Sequence, residues 1–214
     1  MVRHAERECE PVNAWRSVFA WCALASASAA LHADELDDAL AAYDARNYAR
    51  ALELLKPLAE SGDPLAQSNL AYMLYEGQGA KANVGEAEKW YRLAAEQGDA
   101  NAQYNLGVMY ENGSGVPRDL TEAAKWWRLA AQQGYAPAQY NLGALYYSGR
   151  GVPKDLVRAY MWKSLALEGV LTNVAPRKAR VGRDAIGASM SQAQIAQAKA
   201  MMQACVASGF ADCD

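Results

Sequence analysis

The sequence predicts an all-α protein, a solenoid of stacked helix-turn-helix repeats with a helical cap at each end. Three observations predict it. First, Ala66-Gln67-Ser68-Asn69-Leu70 recurs as Ala102-Gln103-Tyr104-Asn105-Leu106 and as Ala138-Gln139-Tyr140-Asn141-Leu142, 36 residues apart at each step. Second, that spacing holds without insertion through Gly77/Gly113/Gly149, Gly79/Gly115/Gly151, Ala87/Ala123/Ala159 and Trp90/Trp126/Trp162. Third, the apolar residues inside each unit fall at helical spacing. A fixed period of this size marks units too small to bury their own apolar faces, which stack into one continuous core.

Residues 1–33 stand outside the repeat. Arg16 precedes the apolar run Val18 to Leu24, which decays into the small residues Ala25 to Ala30. A basic flank, a short apolar core and small residues are the layout of a signal peptide. Cleavage is expected near Ala30 or Ala33, before Asp34-Glu35, and the mature protein is expected to be periplasmic or secreted. Glu6, Glu8 and Glu10 make the extreme N-terminus unusual for a signal. The apolar run falls short of the roughly 20 residues a spanning helix needs. No membrane span is expected once the signal is removed.

Residues 34–65 read as a capping helical hairpin. Leu36, Ala39, Leu40 and Tyr43 form one stripe, and Tyr48, Ala51, Leu52, Leu54, Leu55 and Leu58 a second. Three repeats are assigned to 66–101, 102–137 and 138–173. In each, helix A (Leu65–Glu76, Asn101–Asn112, Pro137–Ser148) ends in a glycine loop, where the chain leaves through left-handed conformations. Asn83, Asp119 and Asp155 are expected to cap helix B, with Glu86 and Glu122 completing capping boxes. Helix B presents Ala87, Trp90, Leu93 and Ala94, then Ala123, Trp126, Leu129 and Ala130, then Ala159, Trp162, Leu165 and Ala166, as its buried face. Residues 174–214 form the closing helices. Ser191 to Gln194 is a capping box, Met190 and Ile195 a staple, and Ile195, Ala198, Met201, Met202 and Cys205 one apolar stripe.

Composition excludes several chemistries. Both histidines, His4 and His32, lie in the leader, so a mature chain would lack the commonest general base and metal ligand. No catalytic, cofactor or metal residues are assigned, and no enzyme activity is expected. A net charge of −3 argues against a nucleic-acid partner. With Cys9 and Cys22 removed alongside the signal, Cys205 and Cys213 are the remaining pair and a candidate disulfide.

The pattern A-Q-x-N-L-G-x-x-Y-x-x-G-x-G-V-P-x-D-x-x-x-A-x-x-W-x-x-x-A-A-x-x-G, carried in nearly full form from Ala102 to Gly134, resembles the Sel1-like repeat, a relative of the tetratricopeptide repeat. The first unit departs from it at Ala71 and at Ala80-Lys81; the third departs at Val170. The resemblance implies a right-handed α-solenoid that binds a protein or extended peptide on the concave face lined by helix A. Among such proteins it implies roles in envelope signalling or exopolysaccharide regulation.

Placing Leu106, Gly107 and Tyr110 at that family's packing positions turns Tyr104, Val108, Glu111 and Asn112 inward. The equivalents include Tyr72, Tyr75, Tyr140 and Tyr147. Asn69, Asn105 and Asn141 recur where related peptide clamps bond a ligand backbone. Tyrosine gives contact area at low entropic cost, which suits such a groove. Trp90, Trp126 and Trp162 are assigned to the core, and Trp127 to another part of the helix surface. Arg177, Lys178, Arg180 and Arg183 form a basic cluster read as a solvated face. The alternatives are a cell-wall or β-lactam hydrolase, as the resemblance to cysteine-rich relatives suggests, or a glycan-binding module. The repeats hold no cysteine and the chain no S-x-x-K motif.

Overall fold

The computed structural model describes residues 34–168, 176–210 and 213. The expected signal peptide, the departure at Val170 and the side chains of Arg177 and Lys178 lie outside the described residues. Within them the chain forms helices and no strand. Helix α1 covers 34–44. It is followed by α2 Tyr48–Glu60, α3 Pro64–Glu76, α4 Val84–Glu96, α5 Ala100–Asn112, α6 Leu120–Ala131, α7 Ala136–Ser148, α8 Leu156–Glu168, α9 Pro176–Ala188 and α10 Gln192–Ala207. From α2 to α8 each helix packs on the next, and α9 and α10 both pack on α8. The result is an all-α solenoid of repeats.

Each repeat is punctuated by the same local chemistry. Asp63 and Asp99 cap α3 and α5, accepting from the amides of Ala66 at 2.7 Å and Ala102 at 2.6 Å. These bonds satisfy donors that a helix start would otherwise leave orphaned. At the other end Gly77, Gly113 and Gly149 adopt φ of 70°, 72° and 71°. That left-handed turn would strain any other residue. Asn83 and Asp119 then cap α4 and α6, as expected, and Asp155 accepts from the Arg158 amide at the start of α8.

The two capping boxes in the repeats do not close. Glu86 accepts from the Asn83 side chain rather than from its backbone, and Glu122 pairs with Lys125. Both carboxylates lie on exposed first turns, where a nearby side-chain donor competes with the cap amide. Ser191 and Gln194 do form the full box at α10.

The buried face of helix B lies one residue away from the expected one. Tyr91 and Trp127 are 2% and 1% exposed, whereas Trp90 and Trp126 are only half-buried, and Leu93 and Leu129 are each 45% exposed. The assignment of Trp90 and Trp126 to the core, and of Trp127 outside it, is therefore corrected. Helix B is clasped between its own helix A and the next, so its apolar stripe runs Ala87, Tyr91, Ala94, Ala95 and Ala123, Trp127, Ala130, Ala131. That i, i+4, i+7, i+8 spacing fits the helical period better than i, i+3, i+6. Trp162 is fully buried, as expected, because α9 and α10 cover α8. With neighbours all round, α8 buries Ala159 and every residue from Met161 to Ala166.

Buried glutamines tie successive units together. Gln67, Gln103 and Gln139 donate to the carbonyls of Ala59, Ala95 and Ala131 at 3.1, 3.1 and 3.2 Å. Gln97 and Gln133 in turn donate to the Gln67 and Gln103 side-chain oxygens, each at 2.8 Å. The third such donor is missing: one period after Gln133 stands Gly169, and the Gln139 oxygen is buried without a partner.

Candidate functional site

The helix-A face carries two adjoining hollows at the N-terminal half of the stack. The first, about 200 Å³, is lined by Tyr72, Tyr75, Glu76, Tyr91, Tyr104, Asn105, Val108 and Met109. The second, about 340 Å³, is lined by Tyr43, Leu65, Ser68, Asn69, Tyr72, Asn101, Tyr104, Asn105 and Tyr135. Tyr72, Tyr104 and Asn105 form the wall they share, so the two make one groove across α3 and α5.

The groove exists because of the repeat. Positions 68 and 104, and likewise 69 and 105, are one period apart and stand on the same face of consecutive A helices. Neighbouring aromatics fix the rings. Tyr43 lies 6.4 Å from Tyr72 edge-on, and Tyr104 lies 5.4 Å from Tyr135. Both separations suit tilted aromatic pairs. The Trp127 indole donates to the Tyr104 carbonyl at 3.0 Å and holds the α5 backbone from beneath.

Burial holds four of the phenols in their neutral form. Burial raises Tyr72, with the Tyr43 ring and the Glu76 carboxylate adding to the rise. Burial also raises Tyr91, reinforced by Tyr72 and Glu76, and raises Tyr135, reinforced by Tyr104. Tyr104 is raised by burial against a hydrogen bond from Asn141. The groove thus offers neutral hydroxyls, side-chain amides and a single carboxylate.

The structure brings Asn69, Tyr72, Tyr75, Tyr104, Asn105 and Val108 together in this groove. Glu111, Asn112, Tyr140, Asn141 and Tyr147 line neither hollow. Asn112 ends α5 on the exposed side, and Arg118 donates to the Glu111 carbonyl. Asn141 turns toward Tyr104, and Tyr147 lies under Lys154 at 5.9 Å. Tyr140 is covered from within by the Lys163 ammonium, 3.5 Å from its ring centroid. The asparagine amides also serve their own helices: Asn69 donates to the Leu65 carbonyl at 2.8 Å, and Asn105 to Asn101.

Tyr43, Tyr91, Asn101 and Tyr135 line the groove without having been read as site residues. Tyr135 carried a signal. Asp99 and Asp63, one and two periods earlier, are helix caps, whereas Tyr135 makes no cap bond. A capping residue exchanged for an aromatic points to a role other than capping. Of the basic cluster, Arg180 is exposed and Arg183 is paired with Asp184 at 2.6 Å. Among the described residues no helix is long and apolar enough to cross a membrane.

Tandem helix pairs stacked on a shared core, with a groove along one set of helices, define a helical-repeat scaffold. The chain belongs to the Sel1 repeat family, whose model matches residues 44–63, 64–99, 100–135 and 136–168, more than half of the sequence. It is similar to the crystal structure of a Sel1 repeat protein from Oxalobacter formigenes, at 34% identity and a TM-score of 0.65, over 70% of this chain and 58% of that one. It is equally similar, at 34% identity and 0.65, to a protective antigen of uropathogenic Escherichia coli displaying an SLR fold, over 75% of this chain and 34% of that one. The chain therefore spans less than two thirds of either relative. No curated protein matches it. Sel1 repeat proteins generally mediate protein–protein interaction and are typically non-catalytic scaffolds.

Proposed function

We propose that this protein is an exported adaptor that grips an extended segment of a partner protein along the groove of α3 and α5. The observation that carries the reading is the continuity of the two hollows through Tyr72, Tyr104 and Asn105. A continuous, tyrosine-walled channel with amides at intervals suits a peptide backbone and its side chains. Tyr and Asn together give large contact area and adaptable hydrogen bonding.

The Cys205–Cys213 pair supports export. The two residues lie with Cα atoms 4.5 Å apart and their sulfurs bonded, and such bonds persist in oxidising compartments. On this reading the segment 1–33 is a cleaved signal and the protein works in the periplasm or outside the cell, in envelope signalling or exopolysaccharide regulation.

The test is crosslinking capture from the native envelope with the protein as bait, compared with Tyr104→Ala and Asn105→Ala. Asn105→Ala leaves the core intact and is expected to melt close to wild type. Tyr104 packs against the edge of the core, and its truncation is expected to lower melting while the protein stays folded. Capture of the same partner is expected to fall with each variant. Undiminished capture by both moves the binding face elsewhere.

A further inference from the structure

We propose that the smaller hollow of the groove, walled by Tyr72, Tyr75, Tyr91 and Tyr104 with Glu76 at its rim, receives the cationic head of a lysine or arginine side chain on the bound polypeptide. The inference rests on the groove being the binding face and names what its smaller hollow selects.

Four tyrosines from three helices surround a space of about 200 Å³, the scale of one long side chain. Tyr91 and Met109 are its buried members and form the floor; Tyr72, 39% exposed, stands at the mouth. Aromatic faces carry negative charge density, and several rings around one point attract a cation that has shed its water. No lysine, arginine or histidine lines either hollow. Glu76 is exposed and makes no ion pair among the described residues. Its charge is felt by both Tyr72 and Tyr91, which places the carboxylate close to the rings. A carboxylate beside an aromatic cage complements a cation and repels an acidic partner.

The same register already holds an ammonium elsewhere in the molecule. Tyr140 is Tyr104 one period later, and Lys163 is Trp127 one period later. There the Lys163 ammonium lies 3.5 Å from the Tyr140 ring centroid and 3.3 Å from the Tyr140 carbonyl. In the last repeat the chain's own lysine supplies a cation to this tyrosine position. The ring of Tyr104 has no such internal lysine, since Trp127 occupies that place.

The experiment titrates the isotope-labelled protein, followed by NMR, with three probes. These are the acetylated, amidated peptide Ala-Ala-Lys-Ala-Ala, the same peptide with norleucine for lysine, and tetramethylammonium chloride. The lysine peptide is expected to bind roughly tenfold more tightly than the norleucine peptide, the scale of a desolvated cation–π contact. Its shifts should centre on Tyr72, Tyr104 and Met109. Glu76→Gln should weaken it several-fold with melting unchanged, and Tyr72→Leu should weaken it further.

Equal affinity for lysine and norleucine overturns the cation assignment while leaving the groove as the binding face. Binding of tetramethylammonium without the lysine peptide overturns it in favour of a free quaternary ammonium ligand. Shifts confined to residues outside the hollow, or no binding of any probe, also overturn it. The groove reading itself fails only if capture by the Tyr104→Ala and Asn105→Ala variants is undiminished.

Discussion

Trp127 occupies the space that a side chain on Gly107 would need: a Cβ at Gly107 would lie 2.5 Å from the indole Cδ1 and Nε1 atoms. In the first repeat the same two positions hold Ala71 and Tyr91, a larger residue facing a smaller ring, and both are buried in one cluster. In the third they hold Gly143 and Lys163, where a Cβ would meet the lysine Cγ at 2.9 Å. The departure of Ala71 from the repeat pattern is thus a compensated exchange.

That compensation is testable. Trp127→Ala should destabilise by roughly 3–5 kcal/mol, the cost of emptying a core site of that size. Gly107→Ala should cost roughly 1–3 kcal/mol through overpacking. The double variant Gly107→Ala with Trp127→Tyr, which copies the first repeat, should be markedly more stable than the separate losses of Gly107→Ala and Trp127→Tyr sum to. Urea denaturation of wild type, Gly107→Ala, Trp127→Tyr and the double variant measures the coupling; strict additivity removes the pairing.

Lys163 makes a pH prediction. Burial lowers its ammonium from the ordinary 10.5 to about 8. Below about pH 8 folded and unfolded chains both hold the proton, and the folded state bears the cost of a buried charge. Between about pH 8 and 10.5 the unfolded chain binds more protons, so stability rises with pH. Lys163→Met removes the charge and keeps most of the volume. It should stabilise the protein at pH 7 by no more than about 1 kcal/mol, because losing the contact with the Tyr140 ring and the bond to its carbonyl offsets most of the relief of the buried charge. It should also flatten the rise between about pH 8 and 10.5. Melting curves across that range decide it, and an identical rise in both proteins would clear Lys163 of the effect.

The legible part of this molecule is whatever the period repeats. Helix A begins one residue earlier than expected at Pro64, Ala100 and Ala136 and ends where expected at Glu76, Asn112 and Ser148, because the caps and the left-handed glycines recur in phase. Asn69, Tyr72, Tyr104 and Asn105 were legible as one face for the same reason. Helix B was not, since Trp126 and Trp127 sit side by side on a helix about 100° apart and either could begin an apolar stripe. Only the helix packed on the far side settles which one is buried. Likewise Tyr43 reaches the groove from a cap helix, outside the repeating face, and no periodicity marks it. Tyr135 is marked only by breaking the repeated aspartate cap and not by any pattern of groove residues.

The glutamine ladder predicts an asymmetry between repeats. Gln103 donates to the Ala95 carbonyl and accepts from Gln133, whereas Gln139 donates to Ala131 and its oxygen is orphaned. Replacing a buried polar group costs more when its partners are left unpaired. Gln103→Leu should therefore destabilise by roughly 1–3 kcal/mol and by more than Gln139→Leu, whose substitution also removes an unsatisfied oxygen. The midpoint of urea unfolding ranks the two, and the reverse order would contradict the ladder's energetic role.

The tail ties the last helix back onto the stack. Cys205 is fully buried on α10, Cys213 returns to it, and the Phe210 amide donates to the Cys205 carbonyl at 2.8 Å. Phe210 itself sits at φ 69°, a conformation a bulky residue rarely adopts unless its surroundings hold it there. Its ring reaches the turn between α6 and α7, where a Cβ on Gly134 would lie 3.4 Å away. Closing so short a loop stabilises by roughly 2–3 kcal/mol on chain-entropy grounds. Reduction, or Cys213→Ser, should loosen α10 from α8 and let water reach Trp162, which is now fully buried. The expected readings are a lower melting temperature and a red-shifted tryptophan emission that reoxidation reverses. Phe210→Gly, which accommodates the left-handed backbone and removes the ring, should weaken the same attachment while leaving the disulfide formed. Unchanged emission and melting after complete reduction, verified by thiol titration, would show that the apolar stripe of α10 holds the cap without the covalent tie.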